Sequence, residues 1–363
     1  MIAKFRVPTA ASTPTRAWHC VALALWVASS ATGLVAAANP DPPPVVFNRY
    51  SSLASFSELA RRLLSPFEAE ATLRRLQAGG GTPASQLLDL SGEKFLVRIP
   101  PQKPKEGYAL LVFIPPWQHA ALPEGWGPTL DQHGFMFVSA ARSGNTESTM
   151  GRREPLALLA AYNLMRGYPI DPRRVYIGGF SGGSRVALRL ALGYPDLFRG
   201  ALLNAGSDVI GNAAATPPIP LPPRELLYQF QESSRLVYVT GERDEEHLPD
   251  DMLSLQSLKQ WCMVDPYAFT LPRLAHAPVD AQGLARALDA LDAPRAVDAD
   301  RLGHCREALQ ADLDARFRKM AGLLADGQRD AAVRALEQID RRFGGLAAPR
   351  SLELLHSNSP DPP

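Results

Sequence analysis

The chain has 363 residues, with 38 Lys+Arg against 37 Asp+Glu, 46% hydrophobic and 21% charged residues, 33 prolines and 3 cysteines. The length provides for about two domains of roughly 100–200 residues and a large core. The near-zero net charge argues against a nucleic-acid-binding surface, and so few cysteines exclude a disulfide-scaffold mini-protein or a Cys₄ zinc site.

The full hydrophobic content excludes general disorder, which leaves a globular enzyme or binding module. Proline is the outlier, at about 9% of residues against a usual ~5%. Residues 1–38 contain Lys4, Arg6 and Arg16, no acid, a short apolar run at 21–28 and a small-residue end. This reads as a secretory signal peptide cut after Ala38, with Ala36 and Ala38 as the small pair. The rival reading is a retained anchor, but Ser29, Ser30, Thr32 and Gly33 interrupt a run already short of the ~20 apolar residues a span needs. Cleavage implies a periplasmic or secreted protein with no stable membrane anchor, and it takes the formal charge from +1 to −2.

Residues 39–89 read as a Pro-rich spacer followed by one or two helices. Leu53, Phe56, Leu59, Leu63, Leu64 and Phe67 recur at helical spacing, with a break at Pro66. From about residue 90 the pattern changes to short apolar runs at 94–99, 110–114, 135–140, 175–179, 200–204, 236–240 and 267–271. Helical stretches at 154–166, 182–192 and 280–291 lie between them. Strands alternating with helices predict an α/β domain over 90–294, with a mostly parallel sheet covered on both faces. The Pro-rich stretch 206–224 breaks the rhythm and reads either as a surface insertion or as a lid. Residues 295–363 are helical, with 301–325 and 328–341 forming a hairpin before a frayed tail.

Gly179-Phe180-Ser181-Gly182-Gly183 fits G-x-S-x-G between a predicted strand and a predicted helix. A serine there sits on a sharp turn with its hydroxyl projecting from the sheet end, and small neighbours let strand and helix approach. The same turn aims the N–H of Gly182 at one point, where it can hold an oxyanion. A serine needs a base, and the base needs an orienting acid. Ligands in such sheets sit beyond the carboxyl ends of the strands. The run at 236–240 leads into Asp244, and the run at 267–271 leads into His276. Ser181, Asp244, His276 is then the chain order of an α/β-hydrolase triad. Rival bases are His247, too close in sequence to Asp244, and His119, His133, His304 and His356. Rival acids are Asp208, Glu242 and Glu245.

On these motifs, residues from about 90 to 293 resemble a secreted α/β-hydrolase esterase, similar to the polyhydroxybutyrate-depolymerase-like group that includes feruloyl and acetylxylan esterases. The carrying residues are Asp171-Pro172-Arg173-Arg174-Val175-Tyr176 ahead of the Ser181 motif, Thr240-Gly241-Glu242-Arg243-Asp244, and Ala275-His276-Ala277-Pro278. The resemblance implies a second oxyanion donor after the 110–114 strand, where such enzymes often carry His-Gly. This chain has Pro115-Pro116-Trp117-Gln118 instead, and prolines have no N–H, so the second donor would come from Trp117 or Gln118, with Trp117 the closer match by position.

The expected activity is serine esterase chemistry on a small-molecule or polymeric ester, without cofactor or metal and without a nucleic-acid partner. A serine peptidase of the same fold and a catalytically weak hydrolase-like binding protein are the alternatives. Trp117, Trp126 and the 206–224 segment are candidates for a substrate rim. Cys262 and Cys305 remain after signal cleavage and could tie the α/β domain to the first tail helix.

Overall fold

A computed structural model describes residues 43–211, 219–263 and 265–358. The expected signal peptide with its cut at Ala38, and the middle of the 206–224 segment, lie outside the described residues.

Among the described residues seven strands form one sheet: β1 (Phe95–Arg98), β2 (Tyr108–Ile114), β3 (Phe135–Ala140), β4 (Ile170–Phe180), β5 (Gly200–Asn204), β6 (Arg235–Gly241) and β7 (Tyr267–Leu271). Their order is β1-β3-β2-β4-β5-β6-β7, with β1 antiparallel to β3 and every other pairing parallel. The inner strands read as continuous apolar runs because both faces are covered. In β2 all seven residues are buried. Leu110, Val112 and Ile114 enter one core, while Ala109, Leu111 and Phe113 enter the other. That is the two-residue alternation of a strand with a core on each side.

The helices are α1 (Phe56–Leu63), α2 (Pro66–Ala78), α3 (Trp126–His133), α4 (Glu154–Gly167), α5 (Gly182–Gly193), α6 (Arg224–Ser233), α7 (His247–Gln260), α8 (Ala281–Asp292), α9 (Ala299–Ala325), α10 (Arg329–Phe343) and α11 (Arg350–Asn358). One sheet face is covered by α3 and α8, through Trp126, Leu130, Leu284 and Leu288. The other is covered by α4, α5 and α6, through Leu156, Leu188 and Phe230. No helix among the described residues is long and apolar enough to cross a membrane.

The break at Pro66 is real: Ser65 caps α2 by accepting from Glu68 N–H, and Pro66 takes the first helical position, where its missing N–H costs nothing. The N-terminal helices are tied to the sheet domain by Arg62, which donates to both oxygens of Asp196 and to Gly193 O. The predicted C-terminal hairpin is α9 and α10. Arg306 of α9 donates to Tyr228 O and Gln231 of α6, and a disulfide joins Cys262, just after α7, to Cys305 of α9. Helix α10 meets the start of α2, where Asp340 accepts from Phe67 N–H.

Three helices, α3, α6 and α7, are not among the helical stretches named from sequence. Trp126, expected at a substrate rim, is instead fully buried, with Nε1 donating to Val279 O at 2.7 Å. The far end of the Pro-rich segment packs as a strut, with Leu221, Pro222 and Pro223 against Gly344 and Gly345.

Candidate active site

Strand β4 runs into Ser181, and α5 begins at the next residue. Ser181 has φ 55° and ψ −126°, a backbone conformation that L residues adopt at a cost. Two contacts hold it there. Ser181 N–H donates to Asn204 O at 2.9 Å, and the glycines on either side let strand and helix touch. A Cβ on Gly183 would lie 1.9 Å from Ile114 O, and one on Gly179 would lie 2.2 Å from the Gly183 backbone, so neither position admits a side chain.

His276 reaches the serine from the loop after β7. Its Nδ1 lies 2.7 Å from Asp244 Oδ2 and its Nε2 lies 3.0 Å from Ser181 Oγ. An ionised carboxylate only accepts, so Nδ1 carries the proton, and Nε2 of the neutral ring is left to accept from the Ser181 hydroxyl. The loops after β6 and β7 are pinned to each other. Arg243 N–H donates to Leu274 O and Arg273 N–H to Glu242, while Gly241 lets residues 274–275 cross directly above it. That pinning fixes the spacing of Asp244 and His276.

Asp244 is 3% exposed. Burial acts to raise its pKa, but hydrogen bonds from His276 and His247 outweigh it and hold the carboxyl below its usual range. His247 is too close to Asp244 in sequence to be the expected base. The structure gives it another place. Its Nδ1 donates to the second oxygen, Asp244 Oδ1, at 2.9 Å, and its ring stacks on His276 at 4.0 Å between centroids. The Phe180 ring flanks His276 as well, at 4.6 Å. Asp244, His247 and His276 also bring one ligating atom each within 4.8 Å of the others, a spacing a cation could use that their sequence positions did not reveal.

Asn204 is a second residue the sequence reading missed. It is buried at the end of β5, donates to Val239 O and accepts from Val279 N–H, joining β5, β6 and the segment after His276. The signal was present as an amide closing an otherwise apolar run.

The other histidines and acids lie elsewhere. His133 faces Asp289, His356 faces Glu70, His304 bonds Asp300 O, and His119 stacks on Trp117. Asp208 pairs with Arg185, and Glu242 caps the Arg273 turn.

The N–H groups of Gly182 and Trp117 donate to no partner among the described residues. The Trp117 indole packs beside Phe113 and Phe180, away from the cleft that contains Ser181. That cleft, about 580 Å³, is walled in part by Asn145, Arg153, Arg185, Arg189 and Asp208. Asn145 had no signal of its own in the sequence. Its backbone N–H donates to Pro116 O, and its carboxamide lies against the Cα of Gly182.

No protein-family model and no curated protein matches the sequence. Among solved structures, the chain is similar to Est1E from Butyrivibrio proteoclasticus, with 14% identity, a TM-score of 0.39, and 54% of this chain and 91% of that one covered. An acetyl xylan esterase from Aspergillus awamori matches with 12% identity, a TM-score of 0.40 and coverage of 54% and 94%. An S-formylglutathione hydrolase from Staphylococcus aureus matches with 12% identity, a TM-score of 0.42 and coverage of 54% and 91%. Likenesses of this strength carry no argument about what the chain does. The architecture is plain from the chain itself: one antiparallel edge strand, a parallel remainder, and a strained serine between the central strand and its helix make this an α/β-hydrolase fold.

Proposed function

We propose that the protein is a secreted or periplasmic serine esterase with Ser181 as nucleophile, His276 as base and Asp244 as orienting acid. The observation that carries this reading is the continuous hydrogen-bond chain from Ser181 Oγ through the His276 ring to Asp244.

In the proposed cycle His276 Nε2 takes the hydroxyl proton as Oγ attacks the ester carbonyl carbon. The tetrahedral oxyanion is held by the N–H groups of Gly182 and Trp117, with the Asn145 carboxamide beside them. The intermediate collapses to an acyl-serine while His276 returns the proton to the leaving alcohol oxygen. Water then attacks the acyl carbon, again through His276, and releases the acid and Ser181. Asp244, low in pKa and bonded to Nδ1, stabilises the imidazolium that forms at each step. No step calls for a metal or an organic cofactor.

The two free N–H groups bear on the rival reading of an inert, hydrolase-like binding protein. Pro115 and Pro116 remove two backbone donors, yet Trp117 next to them keeps its own. Secretion is supported by the Cys262–Cys305 disulfide, a bond that persists in oxidising compartments.

The test is steady-state hydrolysis of para-nitrophenyl esters and of peptide anilides by the wild type, Ser181→Ala and His276→Ala. The reading expects ester turnover that both substitutions abolish. Turnover confined to anilides would make it a peptidase, and wild-type rates in Ser181→Ala would end the serine mechanism.

A further inference from the structure

The cleft beside Ser181 is richer in cations than a neutral ester requires. Arg185 and Arg189 follow Ser181 at intervals of four and share the α5 face that begins at the nucleophile. With a 1.5 Å rise per residue, their Cα atoms lie roughly 6 and 12 Å along the axis from Ser181. Opposite them a π-helical turn, Thr149–Arg153, brings Thr149, Met150 and Arg153 to the wall.

Two of the three guanidiniums are already paired. Arg185 donates to Asp208 and Asp250, and Arg189 donates to the buried Glu154. Arg153 differs. It is 4% exposed, and it donates to two neutral carbonyls, Ser143 O at 2.9 Å and Pro115 O at 3.1 Å. Its Nη1 has no hydrogen-bond partner, and no carboxylate lies within 4.0 Å of it, among the described residues. Burial holds its pKa down to about 10, with Glu154 and Glu147 too weak to restore it. Carbonyl dipoles do not neutralise a buried cation, so the wall of the cleft keeps one charge without a counter-ion.

Asp208 is the one carboxylate on the described wall, and it stands at the Arg185 end. Met150, Val186 and Ile219 add apolar surface to the lining of the cleft. Resting on Ser181 as the nucleophile, we propose that the preferred substrate is an ester that also carries a carboxylate a few atoms from the scissile carbonyl, with Arg153 as its counter-ion, Arg185 as a second donor and the apolar wall against the intervening methylenes. A monoester of a short dicarboxylic acid has this form, and so does an ester whose alcohol carries the carboxylate.

Two matched pairs test it. On the acyl side, mono-para-nitrophenyl glutarate is compared with para-nitrophenyl pentanoate. On the alcohol side, para-acetoxybenzoate is compared with its methyl ester. At low salt at least one pair should favour the anion by about tenfold or more in kcat/KM, and Arg153→Gln and Arg185→Gln should each reduce that ratio severalfold or more. A ratio is read because it cancels losses common to both substrates. Arg153→Gln also breaks two ties to carbonyls, so a measurement on the wild type stands beside it: free glutarate should slow fluorophosphonate labelling of Ser181 more strongly than the uncharged glutaramide does. Labelling of Ser181 with ratios at or below one in both pairs, or ratios unmoved in both variants, overturns the anion proposal and leaves the esterase standing. Absence of labelling overturns both.

Discussion

The backbone at Ser181 makes a prediction with an unusual sign. Its φ of 55° and ψ of −126° are imposed by the Asn204 hydrogen bond and by the strand–helix contact at Gly179 and Gly183. Such a conformation costs a residue with a Cβ about 1–3 kcal/mol. Ser181→Ala keeps the Cβ and keeps that cost. Ser181→Gly removes it, at a penalty of about 0.5–1 kcal/mol for the extra freedom of glycine in the unfolded chain. The side chain faces a cleft, so its removal opens no core cavity. Ser181→Gly should therefore be more stable than Ser181→Ala by roughly 0.5–2 kcal/mol, where glycine at an ordinary position is the less stable of the two. Both variants lack the hydroxyl, which separates strain from chemistry. Urea unfolding of the two, disulfide intact and m-values equal, gives the difference directly. A Ser181→Gly protein equal to or less stable than Ser181→Ala would show that the turn stores no strain.

Asn145→Ala removes a carboxamide that lies against the Cα of Gly182 and should lower kcat for an ester by about 10²-fold with little change in KM; an unchanged kcat would take Asn145 out of oxyanion stabilisation. Asp340 is buried, and burial pushes its carboxyl from 3.8 up to about 6. The folded state thus holds this proton longer than the unfolded one, so the group favours folding below about pH 4 and loses that contribution between about pH 4 and 6. Asp340→Asn should gain about 2–3 kcal/mol over the wild type at about pH 7.5 and close to nothing at about pH 4, by urea midpoints; an equal difference at both pH values would contradict the burial argument. Cys262 and Cys305 are separated by 43 residues, and closing a loop of that size is worth about 4 kcal/mol in the chain-entropy account. Paired Ser substitutions should lower stability by about 2–4 kcal/mol, and an unchanged unfolding midpoint would contradict a structural role.

Much of this was legible in the chain. The inner strands stood out because residues such as those of β2 are buried on both sides and leave no polar alternation, whereas the largely exposed edge strand β7 stood out by its aromatic residues alone. Ser181, Asp244 and His276 stood out because each follows a strand run, and strand ends of a parallel sheet converge. The missed helices have physical reasons. Helix α3 carries Gly127 and Pro128, and α7 carries Pro249 in its first turn, so neither is marked as a helix by local propensity. His247 and Asn204 were hidden differently. Their contribution is to what other loops touch, and no spacing within their own segments records that. Arg153 owes its place on the cleft wall to a π-helical turn, which ordinary helical periodicity does not anticipate.

The central claim is that Ser181 is a nucleophile activated by His276 and Asp244. Incubation with a fluorophosphonate followed by peptide mass mapping tests it most directly. The account predicts one adduct on Ser181, none in Ser181→Ala, and sharply slowed labelling in His276→Ala. No adduct on the folded wild type, or equal labelling of Ser181→Ala, would contradict it.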